Sequence, residues 1–157
     1  MRFLLLENEL QKVQVTSSHP GEGKTTAATN LAFTASKVGQ RVLLIDCDLR
    51  KPQVHKFLGL SNYKGLTNVL FGEAKVHEVA QELAGSGGLL VITSGDVPPN
   101  PAELLAGDGI RRALMQIGKK FDLVVFDSPP LLAVSDPQIL AELVDGLILV
   151  VSGTSMD

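Results

Sequence analysis

A chain of 157 residues with 45% hydrophobic content, few aromatics and a formal charge of −3 has the makeup of one ordinary globular domain, long enough to bury roughly two thirds of its unfolded surface. The charge balance lacks the basic excess that nucleic-acid binding demands, which excludes nucleic acid as the main partner. A single cysteine, Cys47, excludes an internal disulfide and leaves the cytoplasm as the default compartment.

The opening apolar run Phe3 to Leu6 breaks at Glu7, too short for the core of a signal peptide, and no run along the chain is long enough to span a bilayer. Any work at a membrane therefore requires another protein to bring the chain there. Residues 12–16 alternate and predict a first strand, followed by Thr-Ser-Ser-His-Pro-Gly-Glu-Gly-Lys-Thr-Thr over residues 16–26. From Thr25 to Val38 apolar residues recur with a helical period, and Gly39 stands where a C-terminal cap glycine would. Residues 41–45 form a short apolar run, the mark of a strand buried on both faces in a helix-covered parallel sheet.

Short helices are expected near 54–58 and 67–71, and a longer one over 75–84. Residues 89–93 read as a strand, after which Asn100 and Pro101 predict a helix start, cap and first residue, and 110–119 a second helix. Residues 122–126 and 146–151 complete the strands, the last of them of the buried type, with a helix around 137–143 between them. Strands alternating with helices predict one α/β domain over residues 1–157, with a mainly parallel sheet flanked by helices. A buried-type strand so close to Asp157 also suggests a shortened domain.

The loop after the first strand carries the most specific chemistry. Gly23, Lys24 and Thr25 satisfy the end of the phosphate-loop pattern Gly-x-x-x-x-Gly-Lys-[Ser/Thr], while Ser18 replaces its first glycine. Gly21 and Gly23 can take positive φ and let backbone N–H groups converge on an anion at a helix N-terminus. Lys24 can reach the β and γ phosphates, and the Thr25 hydroxyl is placed for the accompanying Mg²⁺. The bland alternative, a plain turn with a surface lysine, sits poorly with a strand before and a helix after.

Asp46 and Asp48 follow a buried strand and, two residues apart on extended backbone, point the same way. One can serve the metal and the other take a proton, at the carboxyl end of the sheet where such folds bind ligands. Asp127 ends the apolar run 123–126 before Ser128-Pro129-Pro130, the form of a Walker B aspartate that holds Mg²⁺ through water or from behind. Cys47, between the two acids, reads as a buried small apolar residue rather than a nucleophile. His19, His55 and His77 lack metal-ligand spacing. Arg50 and Lys51 are either a solvated pair or a source of charge stabilisation near the phosphates.

Residues 17–26, 43–52 and 121–130 together resemble the Walker A, A′ and B motifs of the bacterial tyrosine kinases of capsular and exopolysaccharide biosynthesis, and the likeness extends over residues 64–70 and 95–105. Related P-loop ATPases of the chromosome-partitioning and division-site type are also similar, but they carry a signature lysine where this chain has His19. The resemblance implies a P-loop kinase domain, shortened at both ends, that uses ATP and Mg²⁺ to phosphorylate protein tyrosines, chiefly its own. In that reading Pro20, Gly21, Glu22, Gly23, Lys24, Thr25 and Thr26 bind nucleotide, Lys24, Asp46 and Asp48 are catalytic, and Thr25, Asp48 and Asp127 serve the metal. It further implies a homo-oligomer in the full-length protein, a membrane-anchored polysaccharide co-polymerase as activator, and a cytoplasmic position on the inner face of the cell membrane. Two family features are missing from the chain: a C-terminal tyrosine cluster, Tyr63 being the one tyrosine, and a Glu-x-x-Arg-x-x-Arg helix before the first strand, of which Arg2 is at most a remnant. The competing expectation is an ATPase switch that docks a membrane partner without kinase activity.

Overall fold

The computed structural model describes residues 10–21, 23–132 and 134–151, so Glu22 and Arg2 lie outside the described residues. Strands β1 (Lys12–Ser17), β2 (Val42–Asp46), β3 (Gln81–Glu82), β4 (Leu90–Ile92), β5 (Leu123–Asp127) and β6 (Gly146–Val150) form one sheet in the order β3-β4-β2-β5-β1-β6. Every neighbouring pair is parallel except β3 with β4. The helices are α1 (Lys24–Lys37), α2 (Val54–Leu58), α3 (Leu66–Leu70), α4 (Val76–Val79), α5 (Pro101–Ala106), α6 (Asp108–Ile117) and α7 (Asp136–Ala141).

The apolar runs of β2 and β5 are buried at every position because helices cover both faces of the sheet. On one face Val13, Val15, Leu44 and Val125 pack with Ala28, Leu31 and Ala32 of α1. On the other, Leu43, Ile45, Val124 and Phe126 pack with Leu66 and Leu70 of α3, Ile110 and Ile117 of α6, and Leu140 of α7. Cys47 belongs to this second core and is fully buried, as its apolar reading requires. Since β5 lies between β1 and β2, the loops that follow all three open side by side at the carboxyl end of the sheet.

The main elements sit where periodicity places them, with boundaries moved by one or two residues. Gly39 ends α1 with φ +99° and donates its N–H to the Ser36 carbonyl at 3.0 Å. Strands β2 and β5 each run one residue further than expected and so take Asp46 and Asp127 into the sheet, where the two are register partners. The helix expected over 75–84 stops at Val79: Ala80 turns extended, and Gln81 and Glu82 pair antiparallel with Val91 and Leu90. Pairing with β4, supported by Gln81 Nε2 donating to the Ser61 carbonyl at 2.7 Å, outweighs a weak helical pattern.

Asn100 precedes Pro101 at the start of α5, but its side chain makes no capping hydrogen bond and instead donates to Glu103 Oε2 at 3.2 Å. The last strand is not buried on both faces. It is an edge strand with Ile148 and Val150 turned to the α1 core and Leu147 and Leu149 exposed, since a purely apolar run cannot by itself distinguish a central strand from an edge. Among the described residues no helix is long and apolar enough to cross a membrane.

Candidate active site

The glycine loop joins β1 to α1 with Gly21 and Gly23 both at φ +79°. A Cβ at either would meet nothing within 4 Å, so glycine is required there by the backbone, not by crowding. Gly23 occupies the N-cap of α1 without any side-chain cap, which leaves the first-turn N–H groups of α1 directed at the loop's concave side. The loop after β5 is zipped to the same segment. Thr16 Oγ1 donates to the Pro129 carbonyl at 2.6 Å, and the Leu131 and Leu132 N–H groups donate to the Ser17 and Ser18 carbonyls at 2.7 and 3.2 Å. Pro129 and Pro130 thereby become one wall of a cleft of about 620 Å³, whose floor is Gly21, Gly23, Lys24 and Thr25 and whose far wall includes Gln53, Lys56 and Phe57.

Behind that floor lies a compact charged cluster. Lys24 Nζ stands 3.1 Å from Asp127 Oδ1 and 3.2 Å from Asp48 Oδ2, and Thr25 Oγ1 donates to Asp127 Oδ2 at 2.8 Å. Burial works against the Lys24 ammonium, but Asp127 and Asp48 together outweigh it and hold its pKa above the ordinary lysine value. Asp127 is fully buried, and desolvation raises its pKa despite the nearby Lys24.

Asp46, which ends β2, and Asp48, just beyond it, sit in different surroundings. Asp48 lines the cleft, whereas Asp46 is fully buried and accepts hydrogen bonds from the N–H groups of Asp48 at 3.0 Å and Val54 at 3.2 Å. Desolvation, with Asp127 beside it in register, pushes the Asp46 carboxyl up to about 8. Asp48 Oδ1 in turn accepts from the Lys51 N–H at 3.1 Å. The loop from 47 to 54 is thus held by its own carboxylates, and this fixes where α2 begins.

Sequence reasoning missed several contributors. Arg50 is exposed yet has a partner: its Nε and Nη2 grip the carboxylate of the fully buried Asp136 at 3.1 and 3.0 Å, tying the loop after β2 to α7. Asp136 before Pro137 reads in sequence only as a helix start, and nothing links it to a residue 86 positions away. Asn62 clamps Gly95 by accepting from its N–H at 2.8 Å and donating to its carbonyl at 3.0 Å. A side chain at Gly65 would run into the backbone of Thr93 and Gly95, which accounts for that glycine. Among the described residues no three His, Cys, Asp or Glu are grouped to hold a metal by themselves. The oxygens of Thr25, Asp48 and Asp127 are nonetheless hard donors of the kind that could hold Mg²⁺ shared with phosphates.

A glycine loop opening a helix, a lysine and threonine at its end, and an aspartate on the neighbouring strand define a P-loop nucleotide-binding domain. A family model described as an AAA domain matches residues 10–154. Tyrosine-protein kinase YwqD of Bacillus subtilis is 43% identical over 152 residues, 97% of this chain and 64% of that protein. The kinase domain of Escherichia coli tyrosine kinase ETK superposes with a TM-score of 0.89 at 39% identity, over 96% of this chain and 59% of that one. The VpsO kinase domain does so with 0.87 at 38% identity, over 92% of this chain and 71% of that one. The chain belongs to the bacterial tyrosine kinase family, and it spans 64% of the length of the Bacillus subtilis kinase and 20% of that of Escherichia coli tyrosine-protein kinase etk.

Proposed function

We propose that residues 1–157 form the catalytic domain of an ATP- and Mg²⁺-dependent protein tyrosine kinase that autophosphorylates and controls capsular or exopolysaccharide synthesis and export. The observation that carries this is the lysine bridge: one ammonium, Lys24, held between Asp48 and Asp127 at the mouth of the glycine loop. Its protein partners are anions, and a triphosphate offers the same contacts in greater number. In this reading Pro20 through Thr26, Glu22 included, cradle the phosphates, and Lys24 leaves the carboxylates to neutralise charge on the transferred group. Thr25 and Asp48 would hold Mg²⁺, with Asp127 orienting the Thr25 hydroxyl from behind. The metal's contribution is to offset phosphate charge and hold the nucleotide in line for transfer.

Asp46 and Asp48 divide the base and metal roles between them. Asp48 is the one open to the cleft, and Asp46 is buried behind it with both oxygens held by the N–H groups of Asp48 and Val54. The proposal places the domain in the cytoplasm, brought to the inner membrane face by a membrane-anchored activator of the co-polymerase kind, and in a homo-oligomer with its own copies. Calorimetry with ADP and Mg²⁺ tests the nucleotide reading: binding is expected for the chain and lost in Lys24→Met, and equal binding by both overturns it. Mass spectrometry after incubation with ATP and a tyrosine-rich peptide tests the reaction. Hydrolysis without phosphotyrosine supports the ATPase switch instead.

A further inference from the structure

The wall of the cleft opposite the glycine loop has a chemistry of its own. Lys56 and Phe57 of α2 face the cleft, and a second groove of about 440 Å³ opens beside the same helix, sharing Arg50, Lys51 and Lys56 with the first. Arg50 is neutralised by Asp136 and Lys24 by Asp48 and Asp127, but neither Lys51 nor Lys56 makes an ion pair among the described residues. Asp96 is the single carboxylate lining the second groove among those residues. Phe57 leaves 53% of its surface in water, an unusual cost for a phenyl ring on a short helix whose Val54 is fully buried. On a protein of net charge −3, this patch combines an open aromatic face with two unpaired cations.

We infer that α2 and its adjoining groove form the acceptor subsite, and that it takes a peptide whose aromatic ring is flanked by acidic residues. The inference rests on the kinase reading and extends it to substrate class. The ring would lie against Phe57 in an offset or edge-on arrangement, and the flanking carboxylates would meet Lys51 and Lys56. The placement has a physical cause, because the first N–H of α2, that of Val54, is held by the carboxyl of Asp46. The same acid that neighbours the reaction centre therefore sets the position of the wall against which the acceptor rests.

The test is a binding measurement that does not depend on turnover. Fluorescein-labelled Glu-Glu-Tyr-Glu-Glu, Lys-Lys-Tyr-Lys-Lys and Glu-Glu-Ala-Glu-Glu peptides are titrated with the chain in the presence of ADP and Mg²⁺, and anisotropy is followed. The acidic tyrosine peptide is expected to bind about 5-fold or more tighter than the basic one, with Lys56→Gln narrowing and Lys56→Glu reversing that order. Phe57→Ala should weaken the tyrosine peptide by about 3-fold or more while leaving the alanine peptide nearly unchanged. Both side chains are exposed, so these variants keep the fold. Equal affinity for acidic and basic peptides, an order unmoved by Lys56→Glu, or a loss of ADP affinity matching the loss of peptide affinity overturns the subsite. Acidic peptide bound in the expected order but never phosphorylated upholds the subsite and overturns the kinase reading alone.

Discussion

The two ends of strands β2 and β5 carry ion pairs of the same kind in opposite surroundings. At the amino end Arg41, just before β2, grips Asp122, just before β5, with Nη2–Oδ1 at 2.9 Å and the Arg41 N–H on Oδ2 at 2.8 Å, all of it largely in water. At the carboxyl end Lys24 meets Asp48 and Asp127 with side chains almost wholly buried. The first pair behaves as a surface clasp: hydrogen bonding to Arg41 holds the Asp122 carboxyl below its ordinary range. The second cluster sets two carboxylates, Asp48 and Asp127, against one ammonium, with Asp46 buried beside Asp127, and desolvation raises Asp46 and Asp127 instead. Buried ion clusters are poor contributors to stability. Under the proposed function this one would exchange its partners for a ligand's charges.

The largest expected break in this comparison is Lys24→Met, which should weaken ADP binding about 100-fold or more, roughly 3 kcal/mol, in calorimetry. Asp48→Asn comes next. It should lower peptide phosphorylation by about 10²-fold or more while urea denaturation shows a much smaller change, and unaltered activity would move the metal and proton roles elsewhere. Asp46→Ala removes the acceptor of two buried N–H groups, so it should lose about 2 kcal/mol or more of stability, and an unchanged urea midpoint would show that water takes over both bonds.

The cluster also sets a pH dependence. A carboxyl raised from the ordinary aspartate value to about 8 stabilises the fold fully below pH ~4, and that contribution is lost as pH rises through about 8. Asp127 acts in the same sense. The ligand-free chain should therefore melt at a lower temperature at pH 8.5 than at pH 6, and Asp46→Asn should flatten the slope. The smallest effect belongs to the exposed end, where Arg41→Ala should leave the denaturation midpoint within experimental scatter. A large drop there would mean that the clasp aligns the two strands and would erase the contrast.

Most of the strand and helix positions were legible because burial imposes a period on them, and the phosphate loop was legible because its chemistry needs glycine, lysine and threonine at fixed spacing. Asp127 was found through the apolar run it ends. The short β3 was not, since two residues carry no period of their own and depend on β4 for pairing. The exposure of Leu147 and Leu149 was equally hidden, because their apolar run does not encode its place at the sheet edge.

What the sequence by itself determined is the order of elements and the glycine, lysine and threonine of the loop between β1 and α1, since local backbone demands and contiguous patterns fix both. Only the tertiary structure decided how the three aspartates differ. Asp46 and Asp127 become register partners and Asp48 opens to the cleft because β5 inserts between β1 and β2, a long-range arrangement. The Arg50–Asp136 grip is equally long-range. Its partners are brought together by packing between the loop after β2 and α7, and separation along the chain leaves no local trace of it.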